Sequence, residues 1–332
     1  MNYTDPQADA ARTRARQAWA RTATGDDGLD LERASTDAGF RSYWRGPIPG
    51  ADVPGSVIVM DSPPDKEDVR PWLRMHDLLD RGGVRVPRVL ARDVEAGFLL
   101  LEDLGAQTLL DVLDQDNADA LLDAAVEQLL KLQAIACPDD LPVYDDVLLM
   151  RELRLFDEWF LSRHMGIELS QEETRELDTA YRLLIAAALD QPQVLVHRDY
   201  MPRNLMPLPT GEGPAVLDFQ DAVRGPVAYD PVSLFRDAFL SWPAQRVEVW
   251  LDRYHARAQA AGLPVPALAR FRHDADLIGA QRHLKVLGIF ARLCHRDGKP
   301  KYVADAPRFI AYLDEVLPRY PELASILAIV DR

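Results

Sequence analysis

The chain has 332 residues, of which 48% are hydrophobic and 27% charged, and its formal net charge is −15. This length and apolar content suffice for about two packed domains and exclude a disordered chain. The acidic balance argues against nucleic acid or an anionic membrane as a main partner, because both repel negative charge. Two cysteines are too few for a disulfide framework. Without a recognisable signal peptide or membrane-spanning run, we expect a soluble, cytoplasmic protein.

The first third of the chain predicts one helix followed by a small sheet. Residues 8–24 carry apolar residues at helical spacing, and residues 69–79 form a second amphipathic stretch. Between and after these stretches, glycine and proline clusters separate short runs that are rich in β-branched and aromatic residues, at 40–44, 56–60, 88–91 and 98–101. Such runs are typical of strands. The pattern therefore predicts a small antiparallel sheet with one helix packed on it.

After Gly105 the pattern becomes helical. Asn117 is a plausible N-cap for a helix that ends near residue 136, and Ser170 opens a capping-box sequence, SQEE. Residues 194–196 and 215–217 interrupt the helices as short, buried-strand patterns. The change of pattern places a domain boundary near Glu102 to Gly105, in a short stretch suited to act as a hinge.

Two polar segments, each at the exit of a short apolar strand, carry the chemical signal. The chain reads HRDYMPRN from His197 to Asn204 and, fourteen residues after Asn204, DFQD from Asp218. Phosphoryl transfer requires a carboxylate that orients the acceptor hydroxyl and accepts its proton, and oxygen ligands for a divalent metal. Asp199 fits the first role and Asn204 with Asp218 the second, while His197 is expected to brace the loop. Each piece alone is a common polar loop, but their order and spacing predict a phosphotransferase.

The order of these motifs resembles the protein-kinase-like phosphotransferases, and among them the aminoglycoside-phosphotransferase and choline-kinase branch. In that branch the metal-loop glycine is replaced, as by Gln220 here, and a later aspartate, matched by Asp230, ties the catalytic loop down. The resemblance implies an α+β, two-lobed fold. By this resemblance, residues 1–104 are expected to form a small, antiparallel-sheet lobe that binds nucleotide. Residues 105–332 are expected to form a larger, mainly helical lobe for catalysis and sugar binding. It further implies ATP as donor and Mg²⁺ as metal.

In this family adenine lies against the segment that joins the lobes. The resemblance therefore implies that the backbone of Glu102 to Leu104 binds the base. Residues 35–39, which contain a single glycine, form only a weak phosphate-loop pattern.

The third-strand lysine that contacts the phosphates in typical kinases is missing, because its position is Met60. Arg41, Arg45 and Lys66 are the alternatives for the missing charge, unless metal and backbone donors suffice. Of these, Arg41 and Arg45 are also readily explained as surface or sheet-face residues. The missing lysine leaves open a nucleotide-binding pseudokinase with a regulatory role. The presence of Asp199, Asn204 and Asp218 argues instead for turnover.

A narrower resemblance extends over nearly the whole chain. It is to bacterial kinases that phosphorylate the C1 hydroxyl of N-acetylmuramate or N-acetylglucosamine in peptidoglycan recycling. The segments that carry it are residues 60–68, 196–206, 216–229, 281–292 and 296–300. An aminoglycoside phosphotransferase, which shares the kinase core, is the alternative. Either activity makes a small-molecule sugar the partner, and the oligomeric state stays open.

A muramate acceptor carries a lactyl carboxylate, which favours an arginine or lysine partner. Arg282, Lys285 and Arg292 lie in one predicted helical stretch and share a broad face, so they are the predicted sugar-binding cations. The alternative, weighed almost equally, is a basic stripe that pairs with the protein's own carboxylates.

Overall fold

The computed structural model describes residues 6–36, 40–48, 55–209 and 212–330. The chain divides into two compact units. The first is drawn from Met1–Arg81, Arg85–Gln107 and Met206–Gln220, and the second from Gly82–Val84, Thr108–Leu205 and Asp221–Arg332. The segment that contains Asp218 is therefore part of the first unit, whereas Asp199 and Asn204 are part of the second. The predicted boundary at residues 104/105 stays a prediction.

The first unit is built around a five-stranded antiparallel sheet in the order β1-β2-β3-β5-β4. Its elements are α1 (Pro6–Thr24), β1 (Glu32–Thr36), β2 (Ser42–Pro47), β3 (Ser56–Asp61), α2 (Arg70–Arg81), β4 (Val89–Asp93) and β5 (Phe98–Glu102). Alternate residues of β3 and β5 enter an apolar core beneath α1, which includes Ala20, Val57, Val59 and Leu100. Each buried valine or leucine of this core contributes roughly 1.5–3 kcal/mol by leaving water.

Helix α1 is also tied to the sheet by charge. Arg12 and Arg16 both donate to the buried Asp61 at the end of β3, with N···O distances of 2.7 and 2.8 Å. Arg16 stacks over Trp44, and Arg12 over Phe98. The sequence predicted this helix and four of the strands. It missed β1, whose polar sequence ERAST lacks the apolar alternation of a half-buried strand.

The second unit is mainly helical. Its helices are α3 (Leu109–Val112), α4 (Ala118–Ala134), α5 (Asp146–Leu155), a π-helix (Phe156–Met165), α6 (Gln171–Leu189), α7 (Tyr229–Phe235), α8 (Ala244–Ala260), α9 (Leu268–His295), α10 (Ala306–Val316) and α11 (Ala324–Val330). Short 3₁₀ turns cover Pro202–Asn204, Pro300–Asp305, Leu317–Arg319 and Pro321–Leu323. The predicted capping box is present at α6, because Ser170 and Glu173 exchange side-chain-to-backbone hydrogen bonds. The predicted fold class, α+β with a sheet-containing part and a helical part, is confirmed.

Four short strands support the polar loops. Antiparallel β6 (Gln193–Val196) and β9 (Val223–Pro226) form one ladder, and β7 (Leu205–Met206) pairs with β8 (Ala215–Val216). The loop with Asp199 leaves β6, as the sequence predicted. The β6 partner β9 was not predicted, because its sequence VRGP resembles a turn.

Helix α9 is the centre of the helical unit, with most of its 28 residues buried. At Gly288 the backbone of Leu155, where α5 passes into the π-helix, comes so close that an added Cβ would lie 2.3 Å from the Leu155 carbonyl carbon. Only glycine permits this approach. Along the described residues, no helix is both long enough and apolar enough to cross a bilayer.

Candidate active site

The loop that follows β6 is anchored at its backbone by one buried carboxylate. Asp230 accepts the N–H of His197 at 2.7 Å and that of Arg198 at 3.0 Å. Arg198 has a φ of 75°, which is unfavourable for any residue but glycine and is sustained only when neighbouring contacts fix it. Burial raises the pKa of Asp230 to about 6. Asp230 and His197 are thus placed together.

Asp199 and Asn204 are brought together by the same loop. The Asn204 Nδ2 donates to the Asp199 carbonyl at 2.9 Å, so the amide oxygen of Asn204 points away from that carbonyl. The half-buried Asp199 carboxylate and the Asn204 Oδ1 accept no hydrogen bond from the described part of the chain. Both groups are therefore available to a ligand.

Behind the loop lies a buried ionic network centred on Glu152 of α5. Its Oε1 lies 2.5 Å from Arg198 Nη2 and 3.1 Å from Lys285 Nζ, and Tyr144 donates to its Oε2. Burial opposes ionisation of Glu152, but the charges of Lys285 and Arg198 outweigh it and lower the Glu152 pKa. Burial likewise disfavours the Lys285 ammonium, yet Glu152 raises the Lys285 pKa. The network fixes the Arg198 side chain as Asp230 fixes its backbone.

Glu152 was not predicted as a site residue, although the sequence contained a signal for it. Leu149, Glu152 and Leu153 follow one another at helical spacings of three and four, so Glu152 lies on the buried stripe of its helix. An isolated acid on such a stripe indicates a buried charge that needs a partner.

The second predicted loop, in the sheet-containing unit, is anchored by apolar contacts instead. Asp218, with a φ of 63°, follows β8, whose Val216 N–H donates to the Arg85 carbonyl at 2.7 Å. The next residue, Phe219, is buried against Trp72 and His76 of α2, with ring centroids 5.1 and 6.2 Å away. This packing leaves Asp218 exposed at the end of the strand.

Asn204 in the helical unit and Asp218 in the sheet-containing unit each carry an oxygen of the kind that hard divalent cations prefer. The Asn204 amide nitrogen is committed to the loop, and Gln220 Nε2 orients the Asp218 carboxylate at 2.9 Å. Among the described residues, no group of three or more histidines, cysteines or acids forms a metal cage.

The predicted adenine segment, Glu102 to Leu104, consists of the last residue of β5 and the two residues that follow it. The Glu102 N–H donates to the Arg88 carbonyl at 2.9 Å, and the buried Asp103 binds the Arg45 guanidinium at 2.6 Å. Arg45 donates in addition to the Gly105 carbonyl. The base contact stays a prediction, and Arg45 is already paired with the protein's own carboxylate.

The other two nucleotide-side cations differ in exposure. Arg41 is buried; its Nε lies 3.2 Å from Glu67 but is not aligned as a hydrogen bond, and its Nη1 has no partner in the described residues. Lys66 is about half-exposed and lies 3.5 Å from Asp65. Met60 is fully buried in β3, so it supplies no charge. The weak phosphate-loop pattern at residues 35–39 lies partly outside the described residues.

The three predicted sugar-binding cations of α9 have separate environments. Lys285 is buried against Glu152, and Arg282 is buried with its Nη1 3.4 Å from the Arg236 carbonyl. Arg292 has no ion pair with a described residue; burial and the charge of Arg296 lower its pKa. The alternative of internal pairing therefore describes Lys285, while sugar binding by the three residues stays a prediction.

Residues 30–273 match the phosphotransferase enzyme family. The chain belongs to that family. It is 51% identical over 310 residues to an N-acetylmuramate/N-acetylglucosamine kinase of Pseudomonas putida, which covers 93% of this chain and 88% of the relative. It is 44% identical to a kinase of the same name from Neisseria meningitidis, over 94% of this chain and 93% of the relative.

Among solved structures, a choline/ethanolamine kinase family protein from Mesorhizobium loti superposes with a TM-score of 0.61 at 16% identity, covering 96% of this chain and 99% of that one. This likeness shows the kinase-like fold. The predicted family and the predicted phosphotransferase class are therefore confirmed.

Proposed function

We propose that this chain is an ATP-dependent kinase that phosphorylates the anomeric C1 hydroxyl of N-acetylmuramate and N-acetylglucosamine. The observation that carries the proposal is the identity of 51% and 44%, over more than nine tenths of the chain, to kinases named for these two sugars. The available carboxylate of Asp199 on a fixed loop supports it. The proposal includes a cytoplasmic location, where ATP is present and amino sugars recovered from the cell wall are consumed.

Asp199 is the proposed catalytic residue. Its carboxylate orients the sugar hydroxyl towards the γ-phosphorus and accepts the hydroxyl proton as the new O–P bond forms. An anomeric hydroxyl is more acidic than an ordinary alcohol, so a carboxylate base is adequate. Asp230 accepts the His197 backbone N–H, and Glu152 accepts a hydrogen bond from the Arg198 side chain. These two hydrogen bonds hold the loop that carries Asp199.

Asn204 and Asp218 are the proposed protein ligands of Mg²⁺. When bound, the ion would neutralise charge on the phosphates during transfer. The Asn204 side chain presents its oxygen, because its Nδ2 donates a hydrogen bond to the Asp199 carbonyl. The Gln220 side chain donates to the Asp218 carboxylate and orients it. On the nucleotide side we propose the backbone near Leu104 for the base, with Arg41 and Lys66 supplying positive charge.

The test is a coupled ADP-release assay of the full chain with MgATP and a panel of sugars. N-acetylmuramate and N-acetylglucosamine are expected to give turnover, and the product is expected to show a C1 phosphate by ³¹P NMR. The methyl glycoside of N-acetylglucosamine is the matched control, because its C1 oxygen is blocked. Kanamycin tests the aminoglycoside alternative.

Three outcomes would overturn the proposal. Phosphorylation of the methyl glycoside at the rate of the free sugar would move the reaction to another hydroxyl. Turnover with kanamycin alone would identify an aminoglycoside kinase. ATP binding without ADP release on any sugar would identify a pseudokinase.

A further inference from the structure

The two proposed acceptors differ at one position, and this difference constrains the site. N-acetylmuramate carries a lactyl carboxylate on O3 that N-acetylglucosamine lacks. A buried cation reserved for that carboxylate would be left unpaired and desolvated with the second sugar, at a large cost. In a kinase that takes both sugars, a cation that pairs with this carboxylate must therefore be one that stays hydrated when the carboxylate is absent.

Two of the predicted α9 cations do not meet this requirement. Lys285 is buried in its pair with Glu152, and Arg282 is buried against the Arg236 carbonyl. Turning Lys285 towards a substrate would leave the Glu152 carboxylate with a single cation in a buried environment. Both side chains therefore already have partners within the protein.

Arg203 meets the requirement. It is exposed on the 3₁₀ turn Pro202–Asn204, four residues after Asp199, and four residues span at most about 14 Å. The Asn204 bond to the Asp199 carbonyl folds the turn back and shortens this distance. Within residues 6–36, 40–48, 55–209 and 212–330, the Arg203 guanidinium has no hydrogen bond and no ion pair.

Within those described residues, the Arg203 guanidinium contacts an aromatic ring. Its guanidinium carbon lies 5.0 Å from the ring centroid of Phe239. Phe239 is itself held in place, because Asp237 accepts its N–H at 2.7 Å and Phe290 packs against its ring at 6.3 Å. A ring face orients a guanidinium by stacking but uses none of its N–H donors.

We propose that Arg203 is the residue that recognises the lactyl carboxylate of N-acetylmuramate, with Phe239 as the platform that orients it. The stacked guanidinium presents its N–H edge for a bidentate pair with the carboxylate. With N-acetylglucosamine the same edge stays hydrated, so that sugar is not excluded. The inference rests on the proposed function, and it explains how one site accepts both sugars.

The test compares the selectivity ratio, kcat/KM for N-acetylmuramate divided by kcat/KM for N-acetylglucosamine, in the wild type and Arg203→Gln. We expect the ratio to fall about tenfold, because a charge-assisted pair at an exposed site is lost. Arg203→Lys should recover part of the ratio, since it keeps the charge but not the planar fork. Phe239→Leu should lower the ratio as well, and less than additively with Arg203→Gln.

Arg175→Gln is the matched control, because the substitution removes the same unit of charge. Arg175 is exposed on α6 and contacts only its own helix. Its ratio should equal that of the wild type. The inference is overturned if Arg203→Gln lowers kcat/KM equally for both sugars, or if its main effect is a higher KM for ATP, which would assign Arg203 to the phosphates. If the wild type turns over neither sugar, the proposed function itself fails.

Discussion

The two polar loops of this kinase, one after β6 and one after β8, are held by opposite means. The Asp199 loop is fastened by buried charge: Asp230 binds its backbone, and Glu152 binds the Arg198 side chain. The Asp218 loop is fastened by an apolar side chain, Phe219, packed among the aromatic rings of α2. Each loop contains a non-glycine residue with positive φ. Strained backbone can thus be sustained by ionic or by apolar contacts, and the two should fail differently.

Asp199→Asn tests whether the first loop supplies chemistry beyond its own anchoring. We expect kcat to fall about 10³-fold, because the amide cannot accept the hydroxyl proton. The free energy of unfolding should be unchanged, since the Asp199 side chain anchors nothing in the described structure. ADP release and urea unfolding measure the two quantities. An unchanged kcat would remove Asp199 from the mechanism.

Glu152→Gln tests the ionic anchor. It leaves Arg198 and Lys285 buried without a carboxylate, so we expect a loss of about 3–5 kcal/mol in the free energy of unfolding. Glu158→Gln, an exposed acid on the neighbouring π-helix, is the matched control and should change stability by less than about 0.5 kcal/mol. Equal effects of the two substitutions in urea unfolding would show that the network stabilises nothing.

The Asp230 anchor predicts a pH dependence of definite sign. Its folded-state pKa of about 6 lies above the ordinary aspartate value, so the folded state binds the proton more tightly than the unfolded state. The contribution of Asp230 to the free energy of unfolding is therefore largest at low pH. It declines as the pH rises through about 4 to 6. We expect a decline of roughly 1–3 kcal/mol.

Asp230→Asn provides the reference for that measurement, because it removes the titrating group. The difference in unfolding free energy between wild type and variant should shrink or change sign from pH 4.5 to pH 7. A difference independent of pH would mean that Asp230 titrates normally.

Phe219→Leu tests the apolar anchor, and its effect should be the smallest. Leucine keeps much of the buried area but loses the ring contacts with Trp72 and His76, which costs about 1 kcal/mol. Its effect on stability should be independent of pH between 6 and 8, unlike that of an ionic anchor. A kcat that falls while stability is unchanged would instead assign Phe219 a direct part in the reaction.

The sequence predicted most of the fold because the relevant signals were local. The capping box at Ser170 and the apolar spacing of α4 depend on residues within one or two turns. The π-helix Phe156–Met165 was not predicted, because a change from i→i+4 to i→i+5 bonding leaves no pattern in side-chain type. The polar edge strand β1 was missed for a similar reason, since its pairing with β2 and not its composition defines it.

Candidate site residues could be selected from the sequence where phosphoryl transfer requires certain residue types at a fixed spacing. Asp199, Asn204 and Asp218 belong to such motifs, and the structure places Asp199 and Asn204 on one loop. Partners distant in sequence were not predictable: Glu152 lies 46 residues before Arg198 along the chain. Lys285 was predicted as a sugar ligand from its positive charge and its helical spacing, neither of which reveals that Glu152 lies 3.1 Å from it.

The contact at Gly288 has a mechanical consequence. A one-residue slip of α9 along its axis, about 1.5 Å with a 100° rotation, would bring a neighbouring side chain against the Leu155 backbone, where no space exists for a Cβ. The close contact between Gly288 and the Leu155 backbone therefore fixes the position of α9 against the π-helical segment. A rearrangement of the helical unit that keeps this contact would therefore move α9 and the π-helix together.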